Sequence, residues 1–139
     1  MRRTFRNSLC LACACLLLSC AEPRLECGTD EVKRALASIV REHFLRVALD
    51  NYAFSFDADR KARFRKAVSV TARDARLVVW NKSTGQLACA ASVVIEAPGP
   101  DDRPSTKRGA SLAYRVTGGD GGEFLVEVAY PDLVALVTI

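Results

Sequence analysis

With 139 residues, 50% of them apolar and 26% charged, the chain has enough hydrophobic material for one folded domain and lacks the composition of a disordered segment. Its formal net charge of +4 falls short of the basic surplus that nucleic-acid binders present, so no nucleic-acid partner is expected. One histidine beside six cysteines leaves little material for a histidine-rich metal centre or a nucleophile–histidine–acid triad.

The first elements are an n-region with Arg2, Arg3 and Arg6, then the apolar run Leu9-Cys10-Leu11-Ala12-Cys13-Ala14-Cys15-Leu16-Leu17-Leu18. That run is too short to span a bilayer and has the length of a signal h-region. It ends in Leu17-Leu18-Ser19-Cys20, which resembles the lipobox of bacterial lipoproteins. The resemblance implies cleavage before Cys20, acylation of Cys20, and a domain tethered to the cell envelope by its N-terminus and facing the periplasm. Two or three acyl chains, at about 0.8 kcal/mol per buried methylene, hold a protein on a membrane essentially permanently. Ala21, in place of the Asp that retains enterobacterial lipoproteins in the inner membrane, leans the expectation toward the outer membrane. Arg2-Arg3-Thr4-Phe5 also looks like part of a twin-arginine signal, but the residues expected around it are missing, which favours general secretion. The competing readings of this stretch are an ordinary secretory signal cleaved nearby and a short buried helix.

Loss of residues 1–19 removes three arginines and no acid, leaving 120 residues with 17 basic and 16 acidic side chains. Cys10, Cys13 and Cys15 leave with the signal and Cys20 carries the lipid, so Cys27 and Cys89 remain. Two cysteines in an oxidising compartment most often pair, and a Cys27–Cys89 disulfide is expected. The rivals are a metal site, which needs more ligands than these two and His43, and a redox pair, for which the Cys-x-x-Cys spacing is missing.

After a tether over 20–28, broken by Pro23 and Gly28, Thr29 or Asp30 can cap a helix and Glu31 suits its positive end. Val32, Ala35, Leu36, Ile39, Val40, His43, Phe44 and Val47 recur at helical spacing, which predicts an amphipathic helix over 30–50. Tyr52, Phe54 and Phe56 alternate, then Asp57-Ala58-Asp59 opens a short helix over 58–66. From Val68 the pattern turns to β. Residues 76–81 are β-branched and aromatic, Lys82-Ser83-Thr84-Gly85 is a hairpin loop, and Cys89, Ala91, Val93 and Ile95 share one face of the return strand over 86–95. Prolines and glycines over 97–109 predict a long loop, followed by a strand over 111–117 with Leu112, Tyr114 and Val116 inward. Gly118-Gly119-Asp120-Gly121-Gly122 is the strongest turn signal, and a strand over 123–129 follows with Phe124, Val126 and Val128 inward. The apolar tail from Leu133 to Ile139 is too short to cross a membrane.

These elements predict one α+β domain over 29–139, a two-layer fold with the N-terminal amphipathic helix packed on an antiparallel sheet of about four strands. The element order looks like the cystatin or NTF2-like architecture, a likeness that carries no activity with it. NTF2-like enzymes often use a His–Asp pair in a pocket, and His43 with Asp74 is the pair the resemblance would offer; the competing reading is a core histidine. The glycine-rich turn lacks the residues of a phosphate or calcium loop, and a hairpin explains it. Asp101-Asp102 lie in the proline-rich loop, where nothing holds them for acid–base work. Arg60, Lys61, Arg63, Arg65 and Lys66 form a basic run that fits an anionic lipid surface or an acidic partner, or else a solvated helix face with Phe64 inward. No catalytic, cofactor-binding or metal-ligating set emerges. The expected role is binding of an envelope protein partner, as an accessory, immunity or inhibitor protein; the alternative is an NTF2-like enzyme or small-ligand binder with a pocket between helix and sheet.

Overall fold

Thr29 starts the first helix. Its hydroxyl accepts from the Val32 N–H at 3.3 Å and its carbonyl from the Lys33 N–H at 3.0 Å, the arrangement of an N-cap. Helix α1 spans Asp30–Asn51 and buries Val32, Leu36, Val40, His43 and Ala48, with Ala35, Ile39 and Phe44 half-buried beside them. In the computed structural model the described residues are 25–51, 56–99 and 104–137. Cys20 and its motif, most of the tether, Tyr52, Phe54, Asp101, Asp102 and the last two residues lie outside them. No helix among the described residues is long and apolar enough to cross a membrane.

Helix α2, Ala58–Ala67, is capped by Asp57, whose carboxylate accepts from the Arg60 N–H at 2.7 Å. Val68 ends it in an extended conformation. Four antiparallel strands follow in the order β1-β2-β3-β4: β1 Ser69–Asn81, β2 Gln86–Ala97, β3 Thr106–Gly118 and β4 Phe124–Glu127. Leu87, Cys89, Ala91, Val93 and Ile95 of β2 alternate onto the buried face. There Val116, Tyr114 and Leu112 of β3 stand opposite Leu87, Cys89 and Ala91. The result is the expected two-layer α+β domain.

Gly28 and Arg41 fix how the helix lies on the sheet. A Cβ on Gly28 would stand 3.6 Å from the Ala75 carbonyl oxygen, and Arg41 Nε donates to the Val68 carbonyl at 3.1 Å. Helix α1 therefore begins beside the middle of β1 and runs back toward the start of that strand. The end of β1 and its turn project beyond the helix N-terminus. β1 is also kinked there, with register shifts between Arg73 and Arg76 and between Leu77 and Val79. Asp74 takes a left-handed φ of 52° at the first of them.

The Cys27–Cys89 disulfide is present, with Cα atoms 5.8 Å apart. It ties the segment before α1 to the middle of β2. Tyr114, opposite Cys89, donates its hydroxyl to the Cys27 carbonyl at 2.8 Å, and burial pushes its phenol above the ordinary value.

The sheet extends beyond expectation on one side, with β2 running to Ala97 rather than 95, and differs at the chain's end. β3 starts at Thr106 rather than 111, because Glu96 and Lys107 stand opposite each other and pair at 2.8 Å, and Thr106 Oγ1 reaches the Ala97 carbonyl. Those cross-strand partners outweigh the turn chemistry of Pro104 and Gly109. β4 ends at Glu127, two residues short of the expected 129. A third helix, α3, occupies Tyr130–Val137, where the sequence reading has only an apolar tail. The Ala129 carbonyl accepts from the N–H groups of Asp132 and Leu133, Pro131 suits the first turn, and Leu133, Leu136 and Val137 are buried.

Candidate functional site

His43 and Asp74 are not brought together as a catalytic pair. His43 is 3% exposed, whereas Asp74 is exposed on the kink of β1. Arg46 Nη2 lies 3.1 Å from His43 Nδ1. A guanidinium can only donate, so Nδ1 accepts and the proton sits on Nε2. Nε2 is buried and has no hydrogen-bond partner, while the ring meets Tyr130 edge-on at 5.7 Å. Burial, and then the charge of Arg46, hold His43 below its ordinary pKa.

The unfolded histidine takes up a proton below about pH 6.5 and the folded one resists it, so stability is full above that pH and falls as the pH drops through the lowered folded value. His43→Leu is expected to be at least as stable as the parent at pH 7.5, since it removes an unsatisfied buried donor. It should also flatten the loss of stability on acidification. Urea unfolding midpoints at pH 7.5 and pH 5 check this; an unchanged pH dependence in the variant would assign the effect elsewhere.

The basic run lies on α2. Arg63, Arg65 and Lys66 are exposed, while Arg60 and Lys61 are half-buried. Arg60 lies over the Phe56 ring at 4.0 Å, the Arg65 carbonyl accepts from Arg41, and Phe64 is half-buried. Gly118 and Gly119 lead into a tight turn over Asp120–Gly122, in which Gly121 and Gly122 have φ of 72° and 85°. Gly119 N–H donates across it to the Glu123 carbonyl at 2.8 Å, so hairpin geometry accounts for this glycine cluster. No group of three or more histidine, cysteine or acidic side chains that could hold a metal occurs among the described residues.

The longest run of exposed large apolar side chains among the described residues is not singled out by the sequence as a site. Leu77, Val78, Val79 and Trp80 are each more than half exposed, from 53% to 59%. They lie on β1, an outer strand of the sheet, which pairs only with β2 among the described residues. Leu77 and Trp80 stand opposite the inward-facing Cys89 and Leu87, yet α1 begins too far back to cover them. An uninterrupted apolar run in a strand next to a hairpin turn is the signal that marks it.

A second feature is an apolar cavity of about 210 Å³ where the far end of the sheet meets the helices. Its walls include Phe44 and Ala48 of α1, Phe56 and Phe64 at α2, Ile95 of β2 and Val137 of α3, and Arg108 of β3 also lines it. His43 is not among the lining residues. The chain matches no family model, no curated protein and no solved structure.

Proposed function

We propose that the chain is a lipid-anchored envelope protein whose domain binds a protein partner, accepting an extended segment of that partner along the outer edge of β1. The Leu17-Leu18-Ser19-Cys20 motif supports the anchor. The observation that carries the binding role is the apolar strip of Leu77, Val78, Val79 and Trp80 on the sheet's outer strand. Proteins usually blunt such edges with charge, proline, bulges or cover, because an open strand recruits another; β1 has two bulges, between Arg73 and Arg76 and between Leu77 and Val79, and beyond the second the ladder is regular and uncharged from Val79 to Asn81. A strand added there gains main-chain hydrogen bonds for affinity and side-chain contacts on both faces for selectivity. Arg73, Arg76 and Lys82 flank the strip against a single acid, Asp74, so the segment it suits is apolar with acidic flanks.

The test uses the full membrane-bound chain. A photo-crosslinking amino acid in place of Val78 is expected to give one adduct with another envelope protein. The same group in place of Leu125, equally exposed on the opposite edge, gives none. Adding Val79→Asp should cut the adduct about tenfold, through lost burial and repulsion of an acidic segment. A product of twice the chain's own mass means self-pairing and overturns the partner reading, as does equal labelling from both positions. Cys20→Ala should release the chain from membranes or leave an uncleaved precursor. Identical fractionation, with no acyl mass on the N-terminal peptide, overturns the anchor.

A further inference from the structure

We infer that the cavity between α1, α2, α3 and the sheet is a binding site for a single-chain anionic amphiphile, a medium-chain fatty acid whose alkyl chain enters among Phe44, Phe64, Ile95 and Val137 and whose carboxylate meets Arg108. This goes beyond partner binding at β1 and does not depend on it. The two sites use different parts of the sheet: the strip lies past the N-terminus of α1, the cavity near its C-terminus.

The walls determine what fits. Among the described lining residues only Thr106 and Arg108 have polar side chains, and Thr106 Oγ1 donates to the Ala97 carbonyl, so the part inserted among Phe44, Ala48, Phe56, Phe64, Ile95 and Val137 must be hydrocarbon. A space of about 210 Å³ admits one unbranched alkyl chain rather than a two-chain lipid or a bulky ring system, with the polar end left at the mouth. Among the described lining residues one is charged, Arg108, and none is acidic. Arg108 is exposed and stands on β3 opposite Ile95, a wall residue, so its guanidinium is available beside the apolar space. A guanidinium takes a carboxylate through two parallel hydrogen bonds, which selects an acid over an alcohol of the same length.

The experiment uses washed membrane vesicles carrying the full chain, without ATP, so that an added fatty acid stays free. The probe is decanoic acid with a diazirine in its chain and a terminal alkyne. Illumination is expected to place adducts on cavity residues, foremost Phe44, Phe64 and Val137. Arg108→Gln should lower that labelling about tenfold, and Arg108→Lys should recover part of it. Ala48→Phe fills the space and should abolish it. Proteolytic resistance of each variant in the same vesicles shows whether it is folded, and Ala97→Leu, on the opposite wall, replaces Ala48→Phe if that variant is cleaved. Adducts scattered over the surface, equal labelling in Arg108→Gln, or equal labelling by the matching decanol probe would each overturn the assignment. Labelling that survives in a folded, filled variant would do the same.

Discussion

The Cys27→Ala, Cys89→Ala double variant is expected to lose about 4 kcal/mol of unfolding free energy. The bond joins residues 62 apart in sequence, and in the chain-entropy account a loop of that length restricts the unfolded ensemble by about that amount. A domain of this size commands about 5–15 kcal/mol in total, so the variant sits close to its unfolding threshold. The folded state changes little. Both positions are buried, at 4% and 2% exposure, where alanine is at home. The Tyr114 hydroxyl still holds the Cys27 carbonyl. Urea titrations should therefore show a lower midpoint together with a steeper slope, because the unfolded chain expands further once uncrosslinked. Reduced parent protein should behave like the variant. A loss below about 1 kcal/mol would show that the unfolded chain stays compact there without the bond.

Leu36→Ala should cost about 3–5 kcal/mol, the range for removing a fully buried leucine from a packed core. Leu36 is 0% exposed, and Val32 and Val40, one turn to either side, are equally enclosed. The helix backbone holds these neighbours in place, so the space cannot collapse and its lining loses contacts outright. Ser38→Ala, on the exposed side of the same helix, should stay within about 0.5 kcal/mol of the parent. Thermal melts of the pair separate core loss from any general effect on the helix. Similar shifts in both would mean that the stripe is not what holds α1 down.

Much of this architecture was legible in the residues. The apolar stripe of α1 carries its own period, and the alternation of Leu87, Cys89, Ala91, Val93 and Ile95 marks one sheet face without help from elsewhere. The disulfide follows from a count of cysteines and an expected oxidising compartment. What was not legible depends on distant partners. Pro104 and Gly109 read as loop until Lys107 meets Glu96 across the sheet. The helix over Tyr130–Val137 is hidden because the run from Leu133 onward reads as an apolar tail with no period, and only the core tells Leu133 and Leu136 from their neighbours. The exposed strip is the sharpest case. Leu77, Val78, Val79 and Trp80 have the composition of a buried strand, and nothing local says that the covering helix starts beside Ala75 and leads away. The cavity, walled by residues from α1, α2 and the segment just before it, β2, β3 and α3, has no signature in any one segment. The burial of His43, by contrast, is legible locally, since its position in the helical period decides it.

The bond between Cys27 and Cys89 also sets a path for mechanical load. Tension applied to the chain ahead of Cys27 passes through sulfur directly into the middle of β2, a strand laced to neighbours on both sides. Everything between the two cysteines, α1, α2 and the whole of β1, forms a closed circuit that a pull from that end cannot unravel. If the N-terminus is the point of attachment, drag on the domain is carried by the central sheet, and the strand carrying Leu77 to Trp80 keeps its shape under strain.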